Sequence, residues 1–397
     1  MISKRNKTID FNGYLLIGAI VFSPFTMLRI GYFGIPEILI IILFFTVIFR
    51  KKILLRLDFI SFFWIFYIFL ISIGLGNNYI LKNNVSGNIN TAIIDYLAYV
   101  FIFITSLTLC NLLVHKDKKY IFNVLSRSYS ISSVLLVLLY LFGLRFSSLF
   151  GYSLFHYDNF RPLAENIHHV SMFLAPLPYI GLFILSNKKL SLVTKTIYVF
   201  LIVSNIYIGI QTGSTKILLV FLVASVILIP IYIYNKISSK KIRLLLTGVF
   251  AIIVFLVITL NFDFFWSLAI SFFRENDGSS AREILYSSAI DKILLAPIFG
   301  YGPGAHANYF NSSIYSDAHQ TFLTVSLQGG LIALILFIKL NIKLAKSFFS
   351  NSYIFIAYTA IMIYAMGGDI LRRLPMWIFI ILFYYYILKS NLEKRQS

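Results

Sequence analysis

The sequence predicts an all-α, polytopic membrane protein, and three observations carry that prediction. Of its 397 residues, 59% are hydrophobic and only 12% are charged, whereas a soluble domain is about a quarter charged. The mean hydropathy is +0.85. Apolar runs approaching the ~20 residues that cross a ~30 Å hydrocarbon core recur along the whole chain. Together these exclude a soluble enzyme, a secreted disulfide scaffold and an outer-membrane barrel, whose strands would alternate in polarity. Cys110, the only cysteine, has no partner for a disulfide and none for a cysteine-based metal site.

About twelve apolar segments emerge in order, each expected to be a helix because a spanning segment must satisfy its own backbone. They run over Tyr14–Leu28, Ile35–Phe49, Phe59–Ile73, Ala92–Leu113, Ile121–Leu141 and Ile167–Leu185. They continue over Leu192–Ile210, Ile217–Tyr234, Ile242–Phe262, Thr321–Leu340, Tyr353–Met366 and Leu374–Leu388. Lys4, Arg5 and Lys7 precede the first, but no small-residue cleavage site follows it, so it reads as a retained helix and not a signal peptide. No internal repeat is visible. The whole chain, 1–397, reads as a single integral membrane domain.

Charge orients the segments. With the N-terminus placed in the cytoplasm, 24 of the 34 basic residues but only 4 of the 15 acidic ones fall on the inner side. That is the positive-inside pattern, and it puts both termini in the cytoplasm. The formal charge of +19 is therefore a topology signal, and no nucleic-acid partner is needed to explain it.

Three outer segments are long: Gly76–Asn90, Phe142–Asn166 and Asp263–His319. The last lies between the ninth and tenth helices, and loops above ~12–15 residues are usually functional or disordered. Helix-like stretches at Asp263–Phe273 and Ala281–Leu295, with a Gly/Pro cluster at 297–304, make 263–319 an expected ordered subdomain.

Arginines on the outer side run against positive-inside physics, so each needs a reason. For Arg145, Arg274 and Lys292 an interfacial anchor or ion pair suffices. For Arg161, Lys216, Arg282 and the Arg372–Arg373 pair, phosphate recognition competes with that explanation, because guanidinium forks match phosphate oxygens. Asp95 and Glu37 are candidates to pair with outer arginines. His319 sits where the long loop re-enters the membrane. It is either a polar cap on a helix start or, with an ordinary pKa near 6.5, a general base. His168 and His169 beside Glu165 read as polar contacts, since adjacent histidines face different sides of a helix and no metal spacing is present. Gly300, Gly302 and Gly304 form a turn that either only reverses the chain or lets backbone approach a ligand.

Ser280-Ala281-Arg282-Glu283-Ile284-Leu285-Tyr286, then Pro297-Ile298-Phe299-Gly300-Tyr301-Gly302, then His319-Gln320 with Gly330 after nine further residues, resembles the pattern of the O-antigen ligase/polymerase superfamily. Ala333 stands where a second glycine is common. Thr212-Gly213-Ser214-Thr215-Lys216 resembles the family's T-x-S-R element, with Lys216 one position past the usual Arg. Phe160-Arg161 resembles its Phe-Arg element, with Ala164 for Gly. Gly368-Asp369-Ile370-Leu371-Arg372-Arg373 resembles an outer acidic/basic element of some ligases.

The resemblance implies a GT-C-like glycosyltransferase with a large periplasmic loop, acting at the outer face of the bacterial inner membrane. It implies undecaprenyl-diphosphate-linked oligosaccharide as donor and acceptor, membrane lipids as surroundings, a chain-length regulator protein as a partner, and neither metal nor cofactor. It points to His319 and Arg282 as catalytic, and to Arg161, Lys216, Arg372 and Arg373 as holding the diphosphate. Gly300, Gly302, Tyr286 and Gln320 would lie at the cavity and loop. Polymerase is the closer match on the altered T-x-S-R element and the substantial Phe142–Asn166 loop. Ligase remains the alternative, and a flippase of the same lipid-linked unit the reading from another class.

Overall fold

The structure is a computed structural model that describes residues 9–31, 33–49, 56–80, 89–187, 190–260, 263, 267, 279–305, 307–308, 315–316 and 318–396. Helices dominate it, as the apolar runs require. In chain order they are α1 (Phe11–Phe22), α2 (Ile35–Phe49), α3 (Phe59–Ile80), α4 (Ile89–Leu113), α5 (Lys118–Phe146), α6 (Ile167–Leu174) and α7 (Leu177–Leu185). They are followed by α8 (Leu192–Gln211), α9 (Thr215–Lys236), α10 (Lys240–Leu260), α11 (Ser279–Leu295), α12 (Thr321–Phe348), α13 (Ser352–Gly367) and α14 (Leu374–Gln396). Among the described residues, eight spans are long and apolar enough to cross a membrane, and α1, α2 and α13 are shorter apolar helices. The protein is a multi-pass, all-α membrane protein.

Each of the twelve predicted segments contains a helix, with one difference inside Ile167–Leu185. That segment is broken between α6 and α7, where Pro176 and Pro178 interrupt the helical backbone. A proline has no N–H to continue the ladder. Gly76–Asn90 is a shorter outer segment than expected, because α3 runs to Ile80 and α4 starts at Ile89. In the long outer segment α11 covers the predicted Ala281–Leu295 helix. The Asp263–Phe273 stretch lies outside the described residues except for 263 and 267.

The Phe142–Asn166 segment is built from the end of α5 and two short antiparallel hairpins. These are β3 (Ser148–Leu149) with β4 (Tyr152–Ser153), and β5 (Phe155–His156) with β6 (Asn159–Phe160). A similar hairpin, β1 (Arg29–Ile30) with β2 (Phe33–Gly34), joins α1 to α2.

The core is centred on α14, whose residues from Met376 to Phe383 are all buried, as befits a helix apolar on every side. It packs on α4 and α5, while α3 packs on α12 and α4, and α13 on α9 and α7. Trp64 and Trp377 meet edge to face at 4.7 Å, beside Phe63 and Tyr67. In contrast α10 leaves Leu244, Ile253 and Leu260 exposed, the surface expected of a helix that meets lipid.

The loops sort into two ends. At the basic end Lys116 pairs with Asp10, Tyr385 bonds Asp58 and Cys110, and Lys389 bonds the Val114 carbonyl. At the far end Arg29 pairs with Glu165, Asn77 bonds the Gly300 carbonyl, and Arg372 pairs with Asp95. These are the two groups of loops that charge alone separates.

Candidate functional site

The far end is organised around a break in α12. Gly330 leaves helical geometry there, with φ at 69°, in the left-handed region open mainly to glycine. A broken helix in a membrane strands carbonyls that lipid cannot satisfy. The glycine turn supplies the partners. Tyr301 N–H donates to the Leu327 carbonyl at 2.9 Å and Gly302 N–H to the Gln328 carbonyl at 2.8 Å. In return Leu331 N–H donates to the Pro297 carbonyl at 2.7 Å. There is no room for side chains in this contact: a Cβ at Gly300 would lie 2.5 Å from the Leu327 carbonyl oxygen. Gly74 of α3 faces the same junction, within 2.7 Å of Gly302, Phe299 and Gln328 backbone were it given a Cβ. Of the two readings of the turn, backbone packing accounts for Gly300 and Gly302.

Polar groups brace the junction from the membrane side. Buried Gln328 accepts through Oε1 from Tyr67 at 3.1 Å and Tyr99 at 2.6 Å. Sequence reasoning missed Gln328, Tyr67, Tyr99 and Gly74. An amide in an otherwise apolar span was the available signal, since such residues are costly in lipid and normally find partners.

On the outer side α11, whose first turn carries Arg282, docks through Leu285 and Ala289. These pack with Ala296, Tyr301, Ala305, Ala318 and Leu327 in a small separate core. Tyr301 OH also donates to the Lys292 carbonyl at 2.9 Å. Burial pulls the Lys292 ammonium down to about 8. Tyr286, one turn beyond Arg282, is half-buried. The Arg282 side chain lies outside the described residues, as do His306 and Arg274.

His319 is exposed, with φ at 50°, at the corner where the chain turns into α12. The capping role falls to its neighbour: Gln320 Oε1 accepts from Leu323 N–H at 2.6 Å. Thr321 then anchors the helix start, donating to the Gly368 carbonyl at 2.8 Å and accepting from Ile370 N–H at 3.1 Å. The α12 start is thereby fixed to the loop that carries Arg372 and Arg373.

Those two arginines have different surroundings. Arg372 pairs through Nη1 with Asp95, which is 1% exposed, and through Nε with Asp369 at 3.4 Å. The ion pair expected for Asp95 is thus present. For Glu37 no arginine bond is found among the described residues, although Arg29 lies within electrostatic range. Arg373 lies within electrostatic range of His169, whose Nδ1 meets Thr26 Oγ1 at 3.0 Å. Thr26 also accepts from Glu165 N–H at 3.0 Å, and Glu165 bonds Arg29 at 3.0 Å. His169 therefore belongs to a polar network at the far end. Among the described residues no three His, Cys, Asp or Glu side chains are grouped to hold a metal ion.

A third group forms where β6 meets the turn before α9. Gly213 lies directly against the Asn159 side chain. Arg161 follows two residues after Asn159, and its Nη1 donates to the Glu165 carbonyl at 3.0 Å. Its Nε and the Ser214 hydroxyl are buried without a hydrogen-bond partner among the described residues. Lys216, in the first turn of α9, is only 3% exposed. Buried donors and an ammonium at a helix N-terminus make surroundings suited to an anion. Lys216, one position past the usual Arg of the resembled motif, is thus on a segment that adjoins the one carrying Arg161.

No curated protein matches the chain. Residues 173–338, a span from the end of α6 through the glycine turn and His319 into α12, are similar to the family model described as O-antigen ligase, which supports the resemblance to the O-antigen ligase/polymerase superfamily.

Proposed function

We propose that the protein is an O-antigen polymerase of the bacterial inner membrane, joining undecaprenyl-diphosphate-linked repeat units at the periplasmic face. The observation that carries the glycosyl-transfer part of this reading is the family-matched segment itself. It supplies an exposed histidine at the return of the long loop, next to a far end rich in arginine.

In the reaction an acceptor sugar hydroxyl attacks the anomeric carbon of the donor. A new C–O bond forms as the bond from that carbon to the diphosphate oxygen breaks. The electron pair leaves with the diphosphate and the hydroxyl proton passes to His319, which also orients the acceptor. Arg282, Arg161, Lys216 and Arg373 offset the charge that grows on the leaving group, a preorganised stabilisation that requires no metal. Attack opposite the leaving group inverts the anomeric centre.

The description of the matched family favours a second reading, ligase, in which the acceptor is a lipid A–core sugar. Deletion separates them. Loss of a polymerase leaves core capped by a single repeat, whereas loss of a ligase leaves bare core and accumulated lipid-linked polymer. A flippase is tested by liposomes given donor on one side only: glycan linkage there supports the transferase, and transfer of intact donor across the bilayer without linkage overturns it.

A further inference from the structure

We propose that Arg372 is a positioning residue that clamps the two feet of the 306–318 segment and so places His319, and that it is not a ligand of the diphosphate. The proposal rests on the reading of His319 as the base.

The two feet are the glycine turn and the start of α12. On one side Asp95 of α4 uses both carboxylate oxygens, Oδ1 for Arg372 and Oδ2 for the Gly304 N–H at 3.2 Å. Gly304 has φ at 73°, and a Cβ there would lie 2.7 Å from the Ala92 backbone, so this end of the turn is seated directly on α4. On the other side Asp369 takes Arg372 Nε and also caps its own loop, accepting from Leu371 N–H at 2.9 Å. The neighbouring Gly368 and Ile370 hold Thr321, two residues past His319. The contacts close a ring from turn to α4, to Arg372, to the 368–371 loop, to Thr321. Arg372 is the link between its halves.

Charge explains why an arginine occupies this place. Asp95 and Asp369 are 1% and 9% exposed, and two buried carboxylates require a cation with several directed donors. Two edges of the guanidinium face carboxylates, Nη1 bonding Asp95 and Nε lying 3.4 Å from Asp369, so its charge is neutralised within the protein.

The test compares Arg372→Lys, Asp95→Asn, the double variant and His319→Ala in full-length protein in lipid nanodiscs. It uses lipid-linked repeat unit as substrate and hydrogen exchange of the 300–305 and 318–322 segments. The clamp predicts faster exchange in both segments for Arg372→Lys and for Asp95→Asn. It also predicts kcat lowered by up to ~100-fold at unchanged donor KM, as misplacement of a catalytic group does, and a double variant no worse than the worse single. A raised donor KM in Arg372→Lys with unchanged exchange overturns the clamp and makes Arg372 a diphosphate ligand. Faster exchange with unaltered kcat also overturns it, by reducing the ion pair to a purely structural role. Full activity in His319→Ala, by contrast, removes the base itself and is read independently of the exchange data.

Discussion

His319 and Gly330 are eleven residues apart in sequence and answer different demands on the same helix. His319 stands exposed at the corner because Gln320 takes over the cap. In His319→Ala and in Arg282→Ala we expect polymer synthesis to be lost while the protein still reaches the membrane. Wild-type polymer from either variant, scored on a gel of extracted glycan, removes that residue from the chemistry. Gly330 is needed by the backbone. In Gly330→Ala a methyl group meets the Ile298 carbonyl at a left-handed φ, adding strain on the order of 1–3 kcal/mol to a steric clash. Gly248 of α10 faces open space, so Gly248→Ala should instead stabilise by up to ~1 kcal/mol through helix propensity. Thermal melts in detergent should therefore move in opposite directions for the two variants. The glycine spacing 300–302–304 was readable in the sequence. That Gly300 and Gly302 serve a helix break 28 to 30 residues later in the chain was not, because the contact is made by backbone atoms common to all residues.

Helix ends and docked helices carry their own pH dependence. Asp10 caps α1, accepting from Gly13 N–H at 3.0 Å and from Tyr120 OH at 2.7 Å, and it pairs with Lys116. Burial raises its pKa, but the bonds from Lys116, Tyr120 and Gly13 outweigh this and hold it below the usual carboxylate value. Its folded pKa being depressed, its contribution is present above the unfolded value and is lost as the pH falls through the folded one. Asp10→Ala should cost about 1 kcal/mol as a lost cap, measured as a lower melting temperature at neutral pH and a smaller difference in acid. On α11 the sign is reversed. Burying the Lys292 ammonium disfavours its charge, bringing it to about 8, whereas a lysine in an unfolded chain titrates near ~10.4. Between these values the unfolded state binds the extra proton, so stability rises with pH; below about 8 the penalty is full. Lys292→Met should flatten that rise in melts scanned from about pH 7 to about pH 10. The existence of α11 was legible from its apolar spacing. The break between α6 and α7 was signalled by Pro176 and Pro178, yet hydropathy alone carried the segment through them.

Across the whole molecule, the loops joined to one another by contacts are the same sets that the distribution of lysine and arginine separates. This agreement supports the grouping of the loops into two ends, and the positive-inside pattern is what proposes the basic end as the cytoplasmic one. With Cys110 replaced by Ser, a cysteine at Ser153 should react with a membrane-impermeant maleimide added to intact spheroplasts, and a cysteine at Ser350 should not. The reverse result inverts the proposed topology and moves His319 away from the periplasm. Sequence by itself determined the class of protein, its helical segments and the division of its loops, because lipid imposes length and polarity on each span separately and those constraints are written locally. It also marked Arg282, the glycine turn and His319 as an ordered set. Only the tertiary structure decided that α14 lies at the centre, that Arg372 is engaged by Asp95 and Asp369, and that Gly74 and Gln328 brace a broken helix. Those outcomes depend on which distant segments meet, and a buried charge or an open carbonyl shows its partner only once the chain has packed.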